Sequence, residues 1–314
     1  MKNLFNDEIV VEKKISRDVL DKIFINVFKG IDEKKLVSMM YSEQEAIFDF
    51  EKLCNGENIG QKISMIFNPH RYAIPTKNSM SIIEAFANKN NFLSGLSRAM
   101  LFKEGKVKEL LYQVLQLGIN GIQYVNEFPP KIAQDFYKLY NAKYILDPCA
   151  GWGGRMIGAA SVGAYYHGFE PAQKTYCGLL KLGEFLKLFE TGFDFKIENM
   201  PFEDNKLKKQ YDFALTSPPY YDTELYSSES TNSCNRYKTF DEWIDCFYIP
   251  LIKKTIRHVK FGFVLNIGSR TYNLEQILFN NFKNVKRLKT KLSGKSGLNK
   301  DNKTGESFYL IKKG

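Results

Sequence analysis

The sequence predicts an α/β fold in which a mostly helical N-terminal region precedes a domain built on a parallel sheet. Two patterns lead to this prediction. From about residue 143 onward, short apolar strands alternate with amphipathic stretches, as in a sheet wrapped by helices. Residues 1 to about 125 instead contain long segments with helical spacing and few alternating runs. With 314 residues, 44% of them hydrophobic, the chain can form one large domain or two modest ones.

The N-terminal region is predicted from helical spacing, which is clear in "EQEAIFDFEKLC" and "VKELLYQVLQLG". The segment "NEFPPKIAQDFYKLY" follows as a junction, because Pro129 and Pro130 are suited to the first turn of a helix. We therefore place the domain boundary between a helical region, residues 1–125, and a sheet domain, residues 126–314.

The elements of the sheet domain follow from the same alternation. The predicted strands, in order, lie in "KYILDPCAG", "AYYHGFEP", "FDFKIENM", "YDFALTSPP", "FGFVLNIG", "VKRLKTKL" and "ESFYLIKK". The predicted helices are residues 153–162, "QKTYCGLLKLGEFLKLF", "FDEWIDCFYIPLIKKTIRHV" and "YNLEQILFN". The last two strands have no helix between them, so we expect them to form an antiparallel addition at the edge of the sheet.

Composition limits the partners and the compartment. The 45 Lys and Arg residues outnumber the 35 Asp and Glu residues, and a net charge of +10 favours a polyanionic partner, although a basic soluble enzyme would look the same. The five cysteines form no CxxC pair, so neither a disulfide framework nor a metal site is indicated. With no apolar signal core and no run long enough to span a bilayer, we expect a soluble, cytoplasmic protein with reduced thiols and no membrane partner.

A glycine-rich turn, "LDPCAGWGG", follows the first predicted strand. Its glycines allow the backbone to approach a ligand at a helix N-terminus, and Asp147 lies at the strand tip. The turn lacks the Lys-Ser/Thr of a phosphate-binding loop, and an acid would repel phosphate but attract a cationic amino group. The pattern therefore favours an amino acid derivative as ligand. A tight strand-to-helix turn without a ligand is the alternative.

Glu170 ends the second predicted strand, in "GFEP", about twenty residues after the glycine loop. An acid in this place can accept both hydroxyl groups of a ribose. A glutamate at a strand end taken alone is more often a solvated charge, so this interpretation depends on the glycine loop.

Two prolines follow the fourth predicted strand, in "TSPPYYDTELY". Proline has no N–H and a fixed φ, and it holds the preceding residue extended. We expect the prolines to hold Ser217 and Tyr220 in fixed directions at the strand tip. The alternative is that "SPPY" is only a rigid loop.

Together, "DPCAGWGG", "FEP" and, about seventy residues beyond the loop, "TSPPY" resemble the S-adenosylmethionine-dependent amino-methyltransferases of nucleic acids. The resemblance covers roughly residues 125 to 314 and implies a Rossmann-like, seven-stranded methyltransferase sheet. It also implies S-adenosylmethionine as cofactor. The residues that it places around the cofactor are Phe128, Pro129, Asp147, Pro148, Gly151, Gly153, Glu170, Asn199 and Phe202. Trp152 and Arg155 depart from the commonest members, and either wall the cofactor or serve helix packing.

The same resemblance implies transfer of a methyl group to an exocyclic amine of a DNA base. Ser217 Oγ and the Pro218 carbonyl would accept hydrogen bonds from the amine, Pro219 would keep the motif rigid, and the base would stack on Tyr220. Serine in first position favours cytosine N4 over adenine N6. Cys149 lies in the glycine loop rather than in a nucleophile motif, which makes attack on a ring carbon the weaker idea.

The predicted contacts to DNA are Tyr221, Lys291, Lys295 and Lys300, the lysines lying in a run of late basic residues. The polar segment after the motif is either a lid over the base or a solvated loop. We expect residues 1–125 to help recognise the target. Two alternatives stay open, namely methylation of RNA or of a protein amide, and a catalytically inactive DNA-binding protein on the same scaffold.

Overall fold

The structure is a computed structural model, and it describes residues 10–11, 17–57, 60–75, 79–102, 105–122, 125, 127–222, 228–268, 272–291 and 306–313. The chain divides into two compact units. The first contains residues 1–46 and 68–126, and the second contains residues 47–67 and 127–314.

Within the described residues, the α-helices are α1 Arg17–Ile23, α2 Glu33–Met40, α3 Glu43–Cys54, α4 Lys62–Phe67, α5 Ile82–Ala87, α6 Lys89–Met100, α7 Val107–Leu117, α8 Pro130–Leu139, α9 Gly154–Ala160, α10 Gln173–Lys187, α11 Ser233–Arg236, α12 Phe240–Trp243, α13 Ile249–Arg257 and α14 Leu274–Asn281. The strands are β1 Val10–Val11, β2 Gly105–Lys106, β3 Tyr144–Asp147, β4 Tyr165–Phe169, β5 Asp194–Glu198, β6 Tyr211–Thr216, β7 Val259–Ile267, β8 Val285–Lys291 and β9 Ser307–Ile311. Short 3₁₀ segments cover Pro69–Ala73 and Phe202–Asp204, and π-helical segments cover Phe24–Phe28 and Ile244–Tyr248.

The first unit is a helical cluster around aromatic side chains. The ring of Phe28 lies 4.4 Å from that of Phe92 and 5.6 Å from that of Phe86, measured between centroids. Helix α5 begins at a capping box, in which Ser81 and Glu84 satisfy each other's backbone N–H groups. The two-residue strands β1 and β2 pair antiparallel within this unit.

The second unit contains a seven-stranded sheet with the order β5-β4-β3-β6-β7-β9-β8. Strands β3 to β7 pair in parallel, whereas β9 runs antiparallel to both β7 and β8. The predicted α/β fold and the antiparallel pair at the sheet edge are therefore confirmed. Strand order reverses between β3 and β6, and in open sheets of this kind the ligand crevice lies at the carboxyl ends of the strands at such a switch point.

Strands β3 and β6 form the centre of the sheet because they can be buried on both faces. Every residue of β6 is buried, and in β3 only Tyr144 is exposed. Continuous apolar strands of this kind are typical of parallel sheets covered by helices. The two strands place their C-terminal residues, Asp147 and Thr216, side by side at the carboxyl edge.

Residues 47–67 belong to the second unit, which differs from the division at residues 125 and 126 that the sequence suggested. The ring of Phe50 lies 4.5 Å from that of Phe189, and the ring of Phe67 lies 5.2 Å from that of Phe185. The Gln134 side chain also donates a hydrogen bond of 2.6 Å to the Leu53 carbonyl. These contacts join segments that are far apart in sequence, so helical spacing alone does not reveal them.

The predicted single helix "FDEWIDCFYIPLIKKTIRHV" is divided in the structure. Helix α12 passes into a π-helical segment, and α13 begins at Ile249 with Pro250 in its first turn. Proline inside an α-helix lacks a donor and clashes with the preceding turn, and a π-helical turn before it is one way to relieve this conflict. Among the described residues, none of the helices is long and apolar enough to cross a membrane.

Candidate active site

Asp147 ties the glycine loop to the neighbouring strand. Its side chain is fully buried at the end of β3, where one carboxylate oxygen accepts hydrogen bonds from Thr216 Oγ1 at 2.7 Å and from the Cys149 N–H at 3.2 Å. The other oxygen accepts from Arg155 Nε at 2.7 Å and from the Tyr166 hydroxyl at 2.6 Å. The loop after β3 and the tip of β6 are thus held together by one carboxylate.

Arg155 supplies the positive charge that Asp147 faces. Burial alone would lower the pKa of the guanidinium, but the Asp147 charge outweighs burial and raises this pKa above its usual value. Arg155 also donates to the Cys149 carbonyl and lies 5.1 Å from the centroid of the Phe128 ring. The sequence had suggested that the charge of Asp147 attracts the amino group of a ligand. In the structure this charge instead faces Arg155 inside the protein, so the prediction is wrong for Asp147.

The two loop glycines differ in what surrounds them. Gly151 has φ of 55°, and a Cβ built on it would have no atom closer than 3.9 Å. Gly153 has φ of 95°, and its Cβ would lie 2.5 Å from Leu182 Cδ2. Both positions favour glycine because of positive φ. Gly153 is also required by packing against α10, whereas space remains beside Gly151.

Phe128 and Pro129 lie next to this loop. A Cβ built on Gly154 would be 2.0 Å from the Phe128 carbonyl oxygen, so the segment before α8 passes directly over the start of α9. The Pro129 residue is the N-cap of α8. The structure therefore brings the predicted residues Phe128, Pro129, Asp147 and Gly151 to one place.

Glu170 joins the second strand tip to the loop. Its carboxylate accepts hydrogen bonds from the Ala172 N–H at 2.9 Å and from the Gly151 N–H at 3.1 Å. Burial, assisted by the charges of Asp147 and Glu229, raises the pKa of Glu170 to about 7, although the two backbone N–H groups oppose this rise. The carboxyl group can therefore be ionised or neutral near neutral pH.

Asn199 and Phe202 follow β5. The Asn199 amide donates to the Glu170 carbonyl at 3.0 Å and to the Pro171 carbonyl at 3.1 Å, so it fixes the loop after β4. Phe202 is 2% exposed and packs edge-on against Phe169 with 5.0 Å between ring centroids. Its ring lies in the core rather than on an open surface.

Glu203, one residue further on, was not singled out from the sequence. It accepts a hydrogen bond from the Tyr237 hydroxyl at 3.1 Å through Oε1, and burial raises the pKa of its carboxyl group. The other oxygen, Oε2, is buried and has no hydrogen-bond partner among the residues that the structure describes. A buried carboxylate oxygen without a partner is costly, and this atom can accept a hydrogen bond from a ligand. Glu203 is one of three acidic residues in "ENMPFED", and nothing in the sequence distinguishes it from the other two.

The Ser-Pro-Pro-Tyr motif begins directly after β6. Pro218 is buried, and Ser217, Pro219 and Tyr220 are half-buried. The Ser217 hydroxyl donates to Asn266 Oδ1 at 3.0 Å, and a Cβ built on Gly268 would lie 3.4 Å from Tyr220 Cε2. Hydrogen bonds thus connect all three predicted motifs: Thr216 binds Asp147, and Gly151 binds Glu170.

The residues predicted to contact DNA lie in different surroundings. Tyr221 has φ of 54°, donates its hydroxyl to the Lys238 carbonyl at 2.8 Å, and packs its ring 5.7 Å from Phe240 and 5.6 Å from Tyr272. It is thus part of an aromatic cluster. Lys291 ends β8 opposite Ser307, and Lys295 and Lys300 lie outside the described residues.

From residue 228, where the structure describes it again, the segment after the motif is hydrogen-bonded to the loops that follow β4 and β5. The Glu229 carboxylate accepts from the Gln173 N–H at 3.0 and 3.2 Å, at the start of α10. Arg236 donates to Asp204 at 2.8 Å through Nη2, and the Thr231 hydroxyl donates to the Pro171 carbonyl at 3.4 Å. This part of the predicted lid borders the loops that carry Glu170 and Glu203.

No metal-binding group of three or more His, Cys, Asp or Glu side chains occurs in the described part of the chain. No family model matches the chain, and no curated protein matches it.

Several solved structures are similar to the chain at low identity. A magnesium protoporphyrin IX methyltransferase from Synechocystis PCC 6803 with bound SAM is 11% identical, with a TM-score of 0.38 over 59% of this chain and 79% of that one. An rRNA methylase from Streptococcus thermophilus is 12% identical, with a TM-score of 0.38 over 60% and 98%. A methyltransferase from Pyrococcus furiosus is 13% identical, with a TM-score of 0.40 over 61% and 88%. The fold assigned to this chain is based on its own strand order and not on these likenesses.

Proposed function

We propose that this chain is an S-adenosylmethionine-dependent methyltransferase that acts on an exocyclic amino group of a DNA base, cytosine N4 before adenine N6. The observation that carries the proposal is the pair of hydrogen bonds, Gly151 to Glu170 and Thr216 to Asp147, that brings the three motifs to one edge of the sheet. The tips of β3 and β6 meet because the two strands are neighbours in the sheet, and the switch point between them is where ligands bind in open sheets of this kind.

The residues around the glycine loop fit the proposed cofactor. Glu170 has a carboxyl group at the second strand tip, suited to accept ribose hydroxyls, and space remains beside Gly151. The unpartnered Glu203 Oε2 is suited to accept a hydrogen bond from an adenine amino group. When bound, S-adenosylmethionine supplies a methyl group on a positively charged sulfur. Phe128 and the loop backbone would enclose the end of the cofactor that carries this group.

The motif residues are suited to hold an amine. An exocyclic amino nitrogen is a weak nucleophile because its lone pair is delocalised into the ring. Acceptors that hold its N–H groups can orient the nitrogen, and the proposed acceptors are Ser217 Oγ and the Pro218 carbonyl. Proline at 218 and 219 removes two backbone donors that would compete for them. A flipped base would stack on Tyr220.

Attack through a cysteine on a ring carbon is not supported. Burial, with the charge of Asp147, raises the pKa of the Cys149 thiol well above its usual value. The thiolate is the nucleophilic form, so a raised pKa opposes this chemistry.

The edge strand supports a nucleic acid partner. Strands β7 and β8 both run antiparallel to β9, so they are parallel to each other, and β8 ends at the same edge of the sheet as the motif. Lys286 and Lys289 on β8 are exposed, and Lys291 ends the strand. Phosphate contacts are typically made by such side chains, and the net charge of +10 has the same sign. We include Lys295 and Lys300 in this proposal as sequence predictions only.

The proposal is tested by transfer of a tritiated methyl group to DNA, RNA and protein, followed by mass spectrometry of nucleosides from the labelled DNA. Label in N4-methylcytosine or N6-methyladenine is expected. Label found only in RNA or only in protein would show that the substrate is RNA or a protein amide instead of DNA. Absence of S-adenosylmethionine binding in calorimetry would contradict the proposal as a whole.

Variants of the motif locate the reaction. Ser217→Ala and Tyr220→Ala should bind S-adenosylmethionine as the wild type does but lose transfer by about a hundredfold, because misplacing the amine by an ångström has an effect of this size. Ser38→Ala, an exposed serine of α2, is the matched control. Full activity in both motif variants would exclude the proposed site. Asp147→Ala is a poor probe, because it leaves the buried Arg155 charge unpaired at a cost of about 3–5 kcal/mol.

A further inference from the structure

Asn266 is a buried polar residue beside the motif that neither the sequence nor the resemblance indicates. It lies in β7, one residue after Leu265, which pairs with Thr216 of β6. Its side chain has no exposure to solvent. A buried amide needs partners for both its oxygen and its nitrogen, and these partners define how it is oriented.

The orientation of the Asn266 amide is set from the β9 side. Its Nδ2 donates a hydrogen bond of 3.3 Å to the Ser307 carbonyl, the first residue of β9. An amide nitrogen can only donate, and a carbonyl can only accept, so Ser307 requires that Oδ1 point the other way. Oδ1 faces the Ser217 hydroxyl and accepts a hydrogen bond of 3.0 Å from it.

This arrangement decides which role Ser217 can take. A hydroxyl group has one donor and two acceptor lone pairs. Because the Ser217 hydroxyl donates its hydrogen bond to Asn266, only the lone pairs of Oγ can interact with a target, and they do so as acceptors. The hydroxyl can then accept an N–H from an amino group, but it cannot donate to a carbonyl oxygen or to a ring nitrogen.

We infer that Asn266 is a positioning residue for methyl transfer, which orients Ser217 Oγ as an acceptor and so selects targets that present an N–H. This inference rests on the proposed function, since it concerns the same site. Asn266 acts through Ser217 and does not touch the target. Removing it should leave both binding steps unchanged and lower the rate, because a freely rotating Ser217 hydroxyl spends part of its time donating in the wrong direction.

A double-mutant cycle tests this coupling. Transfer of methyl groups to double-stranded DNA from a methylation-deficient host is measured for Asn266→Leu, Ser217→Ala and the double variant. Asn266→Leu should lower kcat about tenfold, as expected for one hydrogen bond. KM values for S-adenosylmethionine and DNA should stay within about twofold of wild type, because Asn266 itself contacts neither of them. The double variant should be no slower than Ser217→Ala alone.

Losses that multiply in the double variant would overturn the inference, because they would mean that Asn266 acts independently of Ser217. An Asn266→Leu variant with wild-type kcat would overturn it as well. Asn281→Leu, an exposed amide at the end of α14, is the matched control and should leave kcat unchanged.

A second measurement is independent of activity. In protein labelled with ¹⁵N-asparagine, the side-chain amide signals of Asn266 are assigned by their loss in Asn266→Asp. Ser217→Ala should shift these signals and leave those of Asn281 in place. Unshifted signals would overturn the inference even if Asn266→Leu does not fold. If the wild type binds S-adenosylmethionine but methylates no DNA, the proposed function fails, and the signals alone decide whether the hydrogen bond exists.

Discussion

Glu170, the acid proposed to bind the ribose, is also costly to the fold when its carboxyl group is ionised. Its carboxyl group is 8% exposed and accepts two backbone hydrogen bonds, yet burial raises its pKa to about 7. In the unfolded chain the same group titrates near 4.5. The folded state therefore binds this proton more tightly than the unfolded state does.

The sign of the pH dependence follows from this difference. A raised pKa contributes stability that is fully present below the unfolded value and is lost as pH rises through the folded value. For Glu170 the loss lies between about pH 4.5 and 7. Between pH 5 and pH 8 the free energy of unfolding of wild type should fall, relative to Glu170→Gln, by about 2 kcal/mol. Urea denaturation at the two pH values measures it.

Glu184→Gln is the matched control for this measurement, since Glu184 is an exposed residue of α10 in the same unit. Its difference from wild type should be the same at both pH values. If Glu170→Gln also shows a constant difference, burial of the acid is not what governs its ionisation.

The sequence pointed to Ser217 and Glu170 as candidate site residues, but it gave no indication of Asn266. Ser217 and Glu170 lie next to prolines or glycines that mark their positions. Asn266 became visible only when β7 was placed beside β6, because it meets Ser217 across 49 positions of sequence. The pairing of Asp147 with Arg155 was missed for a different reason: a carboxylate at a strand tip looks the same in sequence whether its charge faces a ligand or a buried guanidinium.

The glycine loop is shaped by its contacts with α10. Gly153→Ala would combine two costs. Its φ of 95° is unfavourable for alanine, and the new Cβ would lie 2.5 Å from Leu182 Cδ2. Strain of about 1–2 kcal/mol and overpacking of about 1–3 kcal/mol predict a loss of about 2–5 kcal/mol in the free energy of unfolding.

Gly192→Ala separates these two costs. Gly192 lies in the same unit with φ of 85°, and a Cβ there would meet no atom within 4 Å. It should lose only the strain, about 1–2 kcal/mol. Equal losses in the two variants, measured by urea denaturation, would mean that Leu182 moves aside at no cost.

Most strands of the sheet domain were predictable because they are short apolar runs bounded by polar or turn residues, whereas β5 and β8 alternate apolar with charged residues. The order in which the strands pair was less predictable. Strand β9 inserts between β7 and β8, and the sequence does not indicate which neighbouring strand β9 hydrogen-bonds to. The π-helical segment before Pro250 was also missed, because hydrophobic spacing does not distinguish a π-turn from the α-turns on either side.

The second unit is built from two separate stretches of the chain, residues 47–67 and 127–314. Phe50 has no exposure to solvent and packs on Phe189, and Phe67 packs on Phe185. A fully buried ring such as that of Phe50 contributes about 1.5–3 kcal/mol, and the half-buried ring of Phe67 contributes less. Because a domain has a net stability of only about 5–15 kcal/mol, residues 47–67 are a substantial share of what holds this unit together.

A fragment of residues 127–314 should therefore be much less stable than the same fragment with residues 47–67 joined to its N-terminus by a flexible glycine-serine linker. Thermal unfolding followed by circular dichroism compares the two, and the linked fragment should unfold cooperatively while the shorter one unfolds at lower temperature or aggregates. Within the linked fragment, Phe50→Ala should cost about 3–5 kcal/mol. Phe48→Ala, on the same helix but 57% exposed, should cost little. If the shorter fragment is as stable as the linked one, the helices of residues 47–67 cover the sheet domain without supporting it.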